Sequence, residues 1–110
     1  MKLLLNENIP VQLRDYFSAA FEVYTVRYMG GSSLQDGDLL AAMQTAGFDV
    51  LITVDKRLHT QHDFSRYSFS VITLLTYSNR LDTLLPFVPL IEQWIGQSPV
   101  AQHTMLSVPS

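Results

Sequence analysis

The chain has 110 residues, of which 47% are hydrophobic and 15% charged, and its formal net charge is −3. That length holds one compact domain and not two ordinary ones, and so apolar a composition argues against disorder. The charge balance is not that of a broad phosphate binder, so any nucleic-acid contact rests on a local patch or on a metal.

Lys2 to Leu5 reads as a first strand, an apolar run that stops abruptly in Asn6-Glu7-Asn8. Ligands of open α/β sheets bind outside the carboxyl ends of the strands, so a buried strand ending in short oxygen-bearing residues marks a candidate site. Pro10 suits the first turn of a helix, where its missing N–H costs nothing. Val11, Leu13, Tyr16, Phe17 and Ala20 then recur at helical spacing, which predicts a helix of about ten residues with Tyr16 and Phe17 in the core. Phe21 to Val26 reads as a second strand and Gly30-Gly31-Ser32-Ser33 as a loop. Asp36 is an N-cap candidate for the next helix. Leu39, Leu40 and Met43 are that helix's core face, and Gly47 is placed to end it at the C′ position. Asp49 to Val54 is a continuous apolar run of the kind buried on both faces. It ends at Asp55, a second strand end that carries an oxygen ligand. Residues 56–68 form a polar connection with His59, His62, Asp63 and Arg66, and Phe69 to Leu75 is a fourth strand. Asn79 is a cap candidate for a last helix carrying Leu81, Leu84, Leu85, Val88, Ile91 and Trp94. Pro86 either ends a short first turn of it or kinks it. His103 to Val108 completes the set as a fifth strand. Alternating strands and helices predict a single α/β domain over residues 1–110, a parallel sheet with helices on both faces.

The chain lacks cysteine, which excludes disulfides, thiolate zinc sites and cysteine nucleophiles and fits a cytoplasmic protein. The first residues show no basic segment followed by a long apolar stretch, so a signal peptide is not expected. Apolar runs of about five residues fall far short of the ~20 that a membrane helix needs. After Asp82 the only charged residue is Glu92. So charge-poor a C-terminal third is either buried within the chain or the contact of a homo-oligomer.

The acidic residues that bear on chemistry are Glu7, Asp36, Asp38 and Asp55. Carboxylates converging from separate strand ends can hold a hard divalent cation such as Mg²⁺. A cation so held activates water and stabilises charge on a phosphoryl group. Each acid also has a structural reading. Asp36 is a helix cap whatever else it does, Asp38 suits the first-turn dipole at a solvated surface, and Asp55 can open a turn.

Several segments, in order, resemble the short PIN-like proteins, relatives of PIN-domain ribonucleases and of VapC-type toxins. Leu3-Leu4-Leu5-Asn6-Glu7-Asn8-Ile9-Pro10 resembles the family's opening apolar-Asp-Glu-Asn-apolar-Pro motif. Val23-Tyr24-Thr25-Val26-Arg27 resembles its second strand and trailing Arg. Asp36-Gly37-Asp38-Leu39-Leu40 resembles its acidic helix start, and Leu51-Ile52-Thr53-Val54-Asp55-Lys56 its Thr-x-Asp-Lys-Asp-Phe segment. The resemblance implies a PIN-like three-layer α/β/α fold and a divalent-metal ribonuclease. Glu7, Asp36 and Asp55 would be its catalytic acids. Mg²⁺ or Mn²⁺ would be held by these with Asp38 and Asn6. For some members the resemblance implies an antitoxin protein as partner. Apart from the resemblance, Arg27, Lys56, Arg57 and Arg66 read either as a basic rim for a nucleic-acid backbone or as scattered solvated charges.

The chain departs from the pattern at Asn6, where the family has Asp, and at Arg57, where it has the second Asp of Asp-Lys-Asp. Cation affinity follows ligand charge, so both changes predict weakened metal binding and impaired cleavage. The alternative is a catalytically inactive PIN-like binding or partner module, with Arg57 offering its planar fork to a phosphate. His59 and His62 lack a third ligand at metal spacing and read as polar loop residues. Gly30-Gly31 lacks the full phosphate-loop pattern.

Overall fold

The computed structural model describes residues 1–26, 36–58, 67–97 and 103–108, with Asp36 and Gly37 described in their backbone only. The predicted loop at residues 30–33 and the residues Arg27, His59, His62, Asp63 and Arg66 lie outside this set.

Strand β1 spans Lys2–Leu5, and a 3-10 helix, Val11–Tyr16, leads to β2, Glu22–Thr25. Helix α1, Asp36–Ala46, returns the chain to β3, Val50–Thr53, and β4 spans Ser70–Leu75. One turn of helix, α2 at Leu81–Leu84, precedes α3, Phe87–Gln97, and the chain reaches β5 at His103–Ser107. The five strands form one sheet in the order β2-β1-β3-β4-β5. Every pairing is parallel.

The central strands are apolar at consecutive positions because both faces are covered. Side chains alternate across a strand, and two clusters separate accordingly. Leu3, Leu5, Val50, Ile52, Ile72 and Leu74 pack with Leu13 of the 3-10 helix and with Leu84, Phe87, Val88, Ile91 and Ile95 of α2 and α3. Leu4, Leu51 and Val71 pack on the opposite face with Leu39, Leu40 and Met43 of α1 and with Phe48 and Phe69. The result is three layers, helix on sheet on helix. Each such side chain contributes about 1.5–3 kcal/mol by leaving water. Leu84, Phe87, Val88, Ile91 and Ile95 of the apolar C-terminal third are therefore internal to the chain's own core. Tyr77, Met105 and Val108 stay exposed. Among the described residues, no helix is long and apolar enough to cross a membrane.

Gly47 ends α1 as expected, in the left-handed region at φ 76°. The Gly47 N–H donates to the Gln44 carbonyl and the Phe48 N–H to the Met43 carbonyl. This is a Schellman ending, and the buried Phe48 lies against Met43 as that motif favours. The Lys2 ammonium donates to the Ala46 carbonyl at 2.9 Å, where positive charge suits the helix dipole.

Three local expectations need correction. The helix after Pro10 is a six-residue 3-10 helix, and only Leu13 of it is buried. Val11 and Tyr16 are exposed. Phe17 is already extended, at φ −83° and ψ 149°, and turns back to meet Phe21 edge to face at 6.3 Å. Asp36 is the first residue of α1 rather than the residue before it. Asn79 does not cap the last helical segment. That position is Arg80, without a side-chain cap. Pro86 stands between α2 and α3 and ends the first turn. Pro89 is the third residue of α3, where no intrahelical N–H is needed.

Candidate strand-end site

After β1 the chain moves outward to β2 and then returns past β1 to β3. The carboxyl ends of β1 and β3 thus flank the point where the strand order reverses, the usual ligand crevice of such sheets. Register pairs Leu5 with Ile52, so Asn6 falls beside Thr53. Both strand ends singled out in the sequence, at Asn6 and at Asp55, meet at this one crevice.

Asn6 is buried at 8% exposure. Its Nδ2 donates to Thr53 Oγ1 at 2.9 Å, and its Oδ1 accepts the Glu7 backbone N–H at 2.9 Å. Thr53 Oγ1 also accepts the Asp55 backbone N–H at 3.0 Å. One buried hydroxyl therefore ties the two strand ends together. A third strand end is linked by Asn79, whose Nδ2 donates to the Asn8 carbonyl at 2.9 Å. Beside it lies a cavity of about 280 Å³ lined by Val54, Thr76, Tyr77, Ser78 and Asn79.

Arg57 closes the acid of β3. Asp55 Oδ1 accepts from the Arg57 backbone N–H at 3.0 Å and from Nε at 3.1 Å, and Oδ2 accepts from Nη2 at 3.2 Å. The fork is bidentate, the stronger geometry for this pair. The Arg57 side-chain hydrogen bond holds the Asp55 carboxyl below its ordinary value of 3.8, against a smaller opposing effect of burial. The Asp55 side chain is 22% exposed and that of Arg57 77%.

Glu7, Asp38, Lys56 and Arg57 are exposed. The Asp36 backbone heads α1, and its side chain lies outside the described set, as does Arg27. Among the described residues, no three acidic or histidine side chains gather as a cation site. Both Asp55 oxygens receive guanidinium N–H groups, and the Asn6 amide is committed at both ends. As arranged, these described donors do not fit Mg²⁺ or Mn²⁺.

The chain matches no known family model, curated protein or solved structure.

Sequence reasoning gave no weight to Thr53 itself, to Thr73 or to the bridge made by Asn79. Thr53 pairs with Thr73 in the β3–β4 register, and both are 0% exposed. The signal was Thr53 closing the β3 run with Asp two residues after it, the spacing of a side-chain-to-backbone turn. Among the described residues, Thr73 Oγ1 and Asn8 Oδ1 are buried without a hydrogen-bond partner.

Proposed function

We propose that this chain is a PIN-like domain that binds RNA at the strand-end crevice without cutting it. The observation that carries this reading is the bidentate closure of Asp55 by Arg57. A guanidinium stands against the carboxylate that a catalytic cation would need. Lys56 and Arg57 are adjacent and exposed at the lip, a local positive patch on a chain of net charge −3. A phosphate suits the same planar fork that Arg57 turns to Asp55, and RNA binding would exchange the carboxylate for a phosphate. Fluorescence anisotropy with single-stranded RNA checks this. The expected outcome is salt-sensitive binding, with a slope of about −0.7 per phosphate contacted, that weakens in Arg57→Ala and Lys56→Ala. No RNA binding at low salt would refute it.

A second reading is the metal-dependent ribonuclease of a toxin–antitoxin pair, restrained by an antitoxin protein, in which Arg57 would leave Asp55 and Mg²⁺ or Mn²⁺ would take its place. The observation that favours it is the meeting of Asn6 and Asp55 at the switch point, with Glu7 exposed next to them. Mn²⁺-dependent RNA cleavage that disappears in Asp55→Ala would establish it over the first.

A further inference from the structure

A parallel sheet normally has helices over both of its faces, and β5 departs from this. Val71 belongs to the cluster under α1. The register pairs Val71 with His103, Thr73 with Met105 and Leu75 with Ser107. His103, Met105 and Ser107 therefore point to the α1 side, and all three are exposed, Met105 at 43%. Leu106 points the other way and packs against the α2–α3 cluster. Among the described residues β5 pairs with β4 alone and ends the sheet. Among the described residues no further strand pairs with its outer edge, and Met105 and Ser107 stay exposed on the α1 side.

Exposed edges are ordinarily guarded by charge, proline or a bulge. The opposite edge strand, β2, carries exposed Glu22. From residue 93 to residue 108 the chain has no Asp, Glu, Lys or Arg, and β5, His103-Thr104-Met105-Leu106-Ser107, contains no proline. Exposed Val108 follows it directly.

We propose that β5 is a dimerisation edge, occupied by β5 of a second copy running antiparallel about a two-fold axis at Met105. Two features single out a second copy. In a two-fold contact each residue meets the same surface on its partner, and an antiparallel strand edge matches itself in donors and acceptors. The segment is also free of the acidic and basic side chains that would face their own copies as like charges, which destabilises such pairings. Full overlap sets Met105 opposite Met105 and Thr104 opposite Leu106, joining the two sheets into one. Five paired residues cover less than the ~800 Å² per partner of a standard interface. Association is therefore expected at about 10–100 µM rather than at nanomolar concentration.

Sedimentation of the full chain from about 1 to about 300 µM tests this. A reversible monomer–dimer equilibrium is expected. Met105→Lys should shift it to monomer while leaving the thermal midpoint at low concentration unchanged. The absence of native cysteine gives a second, independent reading. Opposed Cβ atoms on paired strands lie about 4.5–5.5 Å apart, near disulfide reach. Met105→Cys should become a covalent dimer on mild oxidation, and Glu22→Cys on the β2 edge should not. A chain that stays monomeric throughout the range overturns the proposal. So does a dimer that survives Met105→Lys and fails to crosslink through Met105→Cys.

Discussion

Thr53 and Thr73 offer one substitution with two opposite outcomes. They are neighbours in register, both 0% exposed, and each sits near the carboxyl end of a central strand. Thr→Val keeps the branched shape and removes only the hydroxyl. At Thr53 the hydroxyl accepts from Asn6 Nδ2 and from the Asp55 N–H. Its loss strands a donor on Asn6, which is 8% exposed, and a buried donor left unpaired costs about 1–3 kcal/mol. The Asp55 N–H is part-buried, so water recovers some of that second bond. Removal of a desolvated hydroxyl offsets a fraction of the total. The net expectation is a loss of about 1–2 kcal/mol. At Thr73 the hydroxyl has no partner among the described residues, and an unpaired buried hydroxyl itself costs about 1–3 kcal/mol. Thr73→Val should therefore stabilise, by about 1 kcal/mol once the new methyl's fit is allowed for. Urea unfolding of both variants, with unchanged slope on denaturant, reads the difference directly. The midpoints should move in opposite directions. If both variants lose stability by similar amounts, or Thr53→Val gains it, the hydroxyl network does not couple the strand ends and the reasoning fails.

Arg57→Ala should cost only about 0.2–1 kcal/mol, because the pair is solvent-screened on its arginine side. The Asp55 carboxyl is depressed by Arg57, so the pair's contribution is present above the ordinary carboxyl value and is lost as pH falls through the folded one. The gap between wild type and variant should hold at pH 7 and close below about pH 4, and pH-dependent unfolding curves measure it. Gly47→Ala forces a side chain into the left-handed region, where it meets nothing within 4 Å. Thermal unfolding should show a loss of about 1–2 kcal/mol from backbone strain alone. Leu51→Ala empties a position at 0% exposure beneath α1. It should lower stability by about 2–5 kcal/mol in urea titration, with a larger loss if the cavity does not collapse.

The fold was legible wherever a local pattern leaves one physical solution. The runs at Leu3 to Leu5 and Val50 to Thr53 are apolar without alternation, which only a strand covered on both faces satisfies. Gly47 was legible because a helix end in the left-handed region suits glycine. The segment from Val11 to Ala20 misled because helical spacing says nothing about available core. Only Leu13 of the 3-10 helix is buried, and Phe17, already extended, turns to Phe21.

The candidate site divides along the same line. Short polar residues at the ends of apolar runs identified Asn6 and Asp55 from order alone, because strand ends are where a sheet must expose its backbone to a ligand. Strand order then decided that the two ends adjoin, since the register of β1 with β3 depends on contacts between residues far apart in the chain. Tertiary structure also decided what occupies the acid. Arg57 was legible as a charge, and its fork on both oxygens of Asp55 was not, because a two-residue separation permits many side-chain geometries. Thr53 stands furthest from view. A threonine that ends a strand reads as β propensity. It becomes the joint between two strand ends only when the fold sets Asn6 of one beside the hydroxyl of the other.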